Sequence, residues 1–99
     1  MNIGKMMKDL QKMQSKLQAE IEEMEVESTA GGGMVTARMS GKKELLSIKL
    51  SPDVITPDDP ELLEDLIIAA VNEAGRKVDA ELQEKTAGLT GGMNIPGLT

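Results

Sequence analysis

The stretch Thr29-Ala30-Gly31-Gly32-Gly33-Met34-Val35 sets three glycines side by side, and its reading decides the fold. Ordering a glycine costs more backbone entropy than ordering any other residue, so a run of three marks backbone conformations that other residues resist. A phosphate cradle is one such place. A Walker loop, however, ends in Gly-Lys-Ser/Thr and runs into a helix whose N–H groups and lysine hold the phosphates. Here Met34, Val35 and Thr36 follow, the start of an alternating strand pattern. Rossmann spacing fails for the same reason. Strand patterns flank the glycines, which therefore predict a hairpin turn.

Residues 26–30 before the turn read as a short strand. Residues 34–40 after it alternate, with Val35, Ala37 and Met39 on one face and Thr36 and Arg38 on the other. Residues 44–51 alternate too, with Leu46, Ile48 and Leu50 predicted inward and Ser47 and Lys49 outward. Ser40-Gly41-Lys42-Lys43 between them reads as a second tight hairpin with Gly41 at the strained position. Three antiparallel strands with one apolar face are marginal alone and need a layer against them.

Two helices supply candidates for that layer. Over residues 3–26 the apolar positions Ile3, Met6, Leu10, Met13, Leu17, Ile21 and Met24 recur every three or four residues, and no proline interrupts. After a loop over 51–59 with Pro52 and Pro57, Asp59 is placed as an N-cap and Pro60 as the first helical residue. Glu61, Glu64 and Asp65 complement the positive end of that helix, which explains them without any acid–base chemistry. Its stripe runs Leu63, Ile67, Ala70, Val71, Ala74, Val78 and Leu82, widened by Leu62, Leu66 and Ile68. The helix is expected to reach about Thr86, with Gly88 just past its end.

The predicted class is thus α+β: long N-terminal helix, three-stranded antiparallel meander, long C-terminal helix, in one domain over 1–87. Residues 88–99, with four Gly, one Pro and no charge, are expected to form a flexible tail. Each helix exceeds about 30 Å at 1.5 Å per residue, so both should project past the sheet as an antiparallel arm.

Composition narrows function. The 99 residues include eight Met but no Phe, Tyr or Trp. So short a chain with a Met-filled core is expected to draw stability from a second copy. His and Cys are absent, which removes the usual zinc, haem and iron–sulfur ligand sets and both Ser-His-Asp and Cys-His catalysis. The expectation is no enzyme, no metal, no cofactor and no small-molecule substrate. Lack of aromatics argues against binding single strands by base stacking. No apolar run approaches the ~18 residues of a membrane span, and no apolar signal core opens the chain, so a cytoplasmic protein without a membrane partner is expected.

The net charge of −6 discourages a nucleic-acid partner at first sight. Its distribution does not. Residues 1–18 hold Lys5, Lys8, Lys12 and Lys16 with Asp9 as their one acid, and residues 19–27 hold five Glu. Residues 28–51 are again basic, with Arg38, Lys42, Lys43 and Lys49 against Glu44. Residues 52–67 hold six acids and no base. Binding must therefore be judged by patch. A solvated helix face is the plain account of the lysine stripe, and a phosphate-contacting face is the functional one. On the sheet, alternation sets Arg38 and Lys49 outward, while Lys42 and Lys43 read as turn residues. Arg76 and Lys77 lie within pairing reach of Glu73 and Glu81 on their own helix.

Several stretches together resemble the YbaB/EbfC family of bacterial nucleoid-associated proteins. They are Met6-Met7-Lys8 through Gln11-Lys12-Met13-Gln14, Ala30-Gly-Gly-Gly-Met-Val35, residues 48–52, Glu61-Leu-Leu-Glu-Asp-Leu-Ile-Ile-Ala-Ala-Val-Asn-Glu-Ala74 and Gly88-Leu-Thr-Gly-Gly-Met-Asn-Ile-Pro-Gly97. The resemblance implies a tweezer-like homodimer, sheets at the centre and helices protruding as arms. It also implies binding of double-stranded DNA with little sequence preference, in nucleoid organisation and gene regulation. The arm tips are the implied contact region, which by position points to Lys5, Lys8, Lys12 and Lys85. Lys16 and Arg38 join them as candidates from the charge pattern. The rival reading is an acidic protein-interaction module that binds no DNA.

Overall fold

A computed structural model describes residues 2–90 of the chain. The elements are α1 (Ile3–Glu23), β1 (Glu25–Ala30), β2 (Val35–Ser40), β3 (Leu45–Leu50), a 3-10 turn (Pro52–Val54) and α2 (Pro60–Thr90). The order is the one the sequence predicts.

The strands form one antiparallel sheet in the order β1-β2-β3. Its inner face joins Val26 to Met39, Ser28 to Ala37 and Ala30 to Val35. Ala70, Ala74 and Val78 of α2, all fully buried, press onto that face. Two alanines in the contact row let the helix axis approach the strands closely, and Leu63, Leu66, Ile67, Val71 and Leu82 pack around them. Asp59 Oδ1 accepts the Leu62 N–H at 3.1 Å, so the predicted N-cap is in place.

Gly31, Gly32 and Gly33 all lie at positive φ (66°, 68° and 94°), where a side chain would be strained. They turn β1 into β2 as predicted. Gly31 has a second reason to be glycine: a Cβ there would lie 2.9 Å from Leu66 Cδ2 on α2.

Three expectations are corrected. In the β2–β3 turn the left-handed residue is Lys43 (φ 63°), not Gly41. Gly41 is demanded instead by close approach, because a Cβ would collide with the Ile21 carbonyl oxygen at the end of α1. Its N–H donates to the Met24 carbonyl at 3.0 Å, which ties the turn to that helix end. Second, the β2–β3 register shifts after Arg38, pairing Arg38 with Ser47 and Met39 with Leu45. Leu46 is the extra residue of this bulge and stands 45 % exposed rather than inward. Third, α2 continues through Gly88 to Thr90, past the end expected at Thr86. The remainder of the expected tail, 91–99, lies outside the described residues.

α1 has no buried residue and, at its start, Asn2 Oδ1 accepts the Lys5 N–H at 3.3 Å. The molecule measures 70 × 27 × 15 Å. Its radius of gyration of 19.1 Å far exceeds the roughly 13 Å of a compact domain this size. The helices do run antiparallel: Asp79 stands beside Lys43 at the sheet end, and further on Lys85 reaches Glu20 at 4.0 Å. The arm is paired only over the C-terminal part of α1, and the N-terminal part extends beyond.

Candidate nucleic-acid interface

The lysine stripe belongs to the part of α1 that projects. Steps of three, four and four residues keep Lys5, Lys8, Lys12 and Lys16 within about a quarter of the helix circumference. They span about 16 Å along the axis. All four are exposed. Lys8 and Lys12 share a shallow surface depression with Gln11 and Ser15. The unpaired N–H groups of the helix start add partial positive charge at the same end.

Pairing separates these lysines from the other basic residues. Arg38 Nη2 is 2.7 Å from Glu25 Oε2, Lys43 Nζ 2.8 Å from Asp79 Oδ1, and Arg76 Nη2 2.7 Å from Glu73 Oε2. Lys85 faces Glu20 at 4.0 Å, and Lys77 Nζ donates to the Glu27 carbonyl at 2.8 Å. Among the described residues, Lys5, Lys8, Lys12, Lys16, Lys42 and Lys49 form no ion pair. Asp9 sits beside the stripe without closing a pair to it.

Of the six candidates, the structure brings four together on one free face. Arg38 lies apart on the outer face of β2, its charge offset by Glu25. Lys85 is half-buried against α1 with Glu20. Lys49, opposite Thr36 on that outer face, forms no ion pair among the described residues. Strand alternation already set Lys49 on the same outer face as Arg38 in sequence terms. The long-range partner that offsets Arg38 is thirteen residues away and had no local signal.

The opposite charge has its own places. Glu25, Glu27, Glu81 and Glu84 surround Lys77 where α2 leaves the sheet. Glu22 and Glu23 close α1 next to them. An approaching polyanion therefore meets repulsion along the body and attraction along the free half of α1.

The fold and this surface define an elongated α+β protein that presents a lysine-faced helix to solvent. The YbaB/EbfC DNA-binding family matches the chain over residues 1–93, and the chain belongs to that family. It is 53 % identical to a nucleoid-associated protein of Alkaliphilus metalliredigens, covering 98 % of this chain and 88 % of the relative. A nucleoid-associated protein of Clostridium novyi is 52 % identical over 99 % of this chain and 89 % of its own length. A more distant one, from Koribacter versatilis, is 45 % identical over 97 % of this chain and 95 % of its own length. The crystal structure of an uncharacterised Helicobacter pylori protein shares the fold with a TM-score of 0.67 at 20 % identity, over 85 % of this chain and 98 % of that one.

Proposed function

We propose that this chain is a nucleoid-associated protein that grips the phosphate backbone of duplex DNA through the free lysine face of α1. One observation carries the reading: Lys5, Lys8, Lys12 and Lys16 stay unpaired on a projecting helix, while most other basic side chains are engaged. Family membership and the names of the relatives support DNA as the polyanion. Nothing in the comparisons favours the protein-interaction reading.

Lysines on phosphates fix position without reading bases. The face offers no aromatic wedge and no arginine for bidentate base contact, so binding has little sequence preference and serves nucleoid organisation and gene regulation in the cytoplasm. The acting unit is a homodimer. Leu45, Leu46, Ile55, Leu62 and Ile68 remain exposed on one chain. β3 is an open sheet edge that carries Leu45 and Leu46, and exposed apolar surface at such an edge favours a second copy. Two chains of −6 each repel DNA except at the two lysine faces, so affinity falls steeply with salt.

The test is a gel shift with random duplex DNA at low salt, using the variant with Lys5, Lys8, Lys12 and Lys16 all changed to Gln. Binding is lost while helicity and association state persist. Undiminished binding by this variant would overturn the proposal.

A further inference from the structure

The projecting part of α1 carries a second surface besides the lysines. Ile3, Met6, Met7, Leu10 and Met13 stand between 43 and 68 % exposed. By helical spacing they occupy about 120° of the circumference, while the lysines gather nearly opposite. Further along the same stripe Leu17 and Ile21 are half-buried and Met24 is buried, so the bare face belongs to the projecting part. It is about 15 Å long. It is also broader than the two-position seam that a single partner helix covers in a coiled coil. Contiguous exposed apolar surface of this kind marks an interaction site.

We propose that this face docks on the surface of an anionic lipid bilayer, with α1 lying in the headgroup layer and its five exposed apolar side chains turned toward the acyl chains. Charge complementarity selects this occupant. Residues 3–18 hold four lysines against Asp9 alone, and none of the four forms an ion pair within the described residues. An apolar face backed by a lysine-rich polar face is the pattern of helices that lie at a membrane interface. A helix about 10 Å across, sunk to headgroup depth, keeps its upper ammonium groups within a Debye length, about 8 Å, of the lipid phosphates. Burial of apolar area and attraction to anionic lipid then act together.

The fold leaves this contact open to a flat surface. The five Glu of residues 19–27 begin only after the lysine stretch, so the projecting tip can meet an anionic surface while the acidic body stays away from it. No helix among the described residues is long and apolar enough to cross a membrane. The expectation of no membrane partner rested on the lack of a spanning run and of a signal core, and a helix lying in the interface needs neither. Without Phe, Tyr or Trp as interfacial anchors, attachment is reversible and depends on anionic lipid.

The experiment uses the full chain and no DNA. Protein is sedimented with vesicles of equal parts phosphatidylglycerol and phosphatidylcholine, and separately with vesicles of phosphatidylcholine alone. The unchanged protein is expected to partition onto the anionic vesicles about tenfold or more above the neutral ones. A variant with Met6→Gln, Met7→Gln and Leu10→Gln keeps every charge, and glutamine forms helix about as well as methionine or leucine. Its partitioning onto the anionic vesicles is expected to fall about tenfold or more, with the far-UV spectrum unchanged. No binding of the unchanged protein to anionic vesicles overturns the proposal. Equal binding by the variant overturns it too, because the lysines alone would then account for the attraction. A lower association state of the variant without lipid assigns the face to a second copy and likewise overturns it. The variant retains all four lysines, so its gel shift with DNA reports on the lysine-face proposal separately.

Discussion

Arg38 Nη2 bonds Glu25 Oε2 at 2.7 Å, although the strand register sets Arg38 directly opposite Glu27. The bond runs diagonally across the β1–β2 hairpin, and both side chains are about half exposed, at 45 and 52 %. An exposed pair of this kind contributes between about 0 and 1 kcal/mol. Arg38→Gln is therefore expected to shift urea unfolding by less than about 1 kcal/mol and to leave DNA affinity nearly unchanged. Glu25→Gln releases the guanidinium. It is expected to raise affinity at low salt and to steepen the log–log salt dependence by about 0.9 for each additional phosphate neutralised.

The lysines of α1 are expected to act additively and without sequence bias. Each single change, Lys5→Gln through Lys16→Gln, should lower the salt slope by about 0.9 for every phosphate that the missing ammonium no longer neutralises. Titrations against two duplexes of unrelated sequence should give the same weakening. A weakening confined to one sequence would mean base readout instead.

The turn glycines should rank by what a side chain would meet. Gly32→Ala meets open space and bears only the strain of positive φ, about 1–2 kcal/mol. Gly31→Ala adds contact with Leu66, whose flexible tip can give way, and should cost somewhat more. Gly41→Ala meets the backbone carbonyl of Ile21, which cannot move without displacing the end of α1. Its cost is expected to be the largest, about 2 kcal/mol or more, with faster amide exchange over 17–24. Chemical denaturation of the three variants checks the order.

At the helix–sheet contact, Ala74 is fully buried against the strands. Ala74→Leu forces α2 away from β1 and β2 and should destabilise by about 1–3 kcal/mol. Ala69→Leu, on the exposed side of the same helix, should be close to neutral in the same thermal melt.

Leu46 offers a test of the proposed homodimer that spares the fold. It is the bulged residue of β3 and already 45 % exposed in one chain. Leu46→Glu should leave the far-UV spectrum unchanged and shift sedimentation toward the single chain. A sedimentation coefficient equal to that of the unchanged protein would count against β3 as the joining edge.

Most of the architecture is legible in local sequence. The three- and four-residue steps of α1, the alternation of β2, and the Asp59-Pro60 start of α2 are local signals, and local signals survive folding when burial agrees with them. The glycine run was legible for the same reason, since three adjacent positive-φ residues require a turn. What sequence periodicity could not hold was register. One extra residue at Leu46 moved Leu45 opposite Met39, because a bulge leaves no mark in the alternation it interrupts. Helix length also exceeded its local signal, and Gly88 stands inside α2 where a stop was expected.

The candidate site divides along the same line. Spacing alone gathered Lys5, Lys8, Lys12 and Lys16 onto one face, because a helix places residues three and four apart side by side. Which charges remained free was decided by partners distant in sequence: Glu25 for Arg38, Asp79 for Lys43 and Glu20 for Lys85. The sequence by itself determined the elements, their order and the lysine face, all set by neighbours within a turn or a strand. Only the tertiary structure decided why Gly41 must be glycine, which cations are neutralised and how far α1 stands clear, since each depends on where separate elements come together.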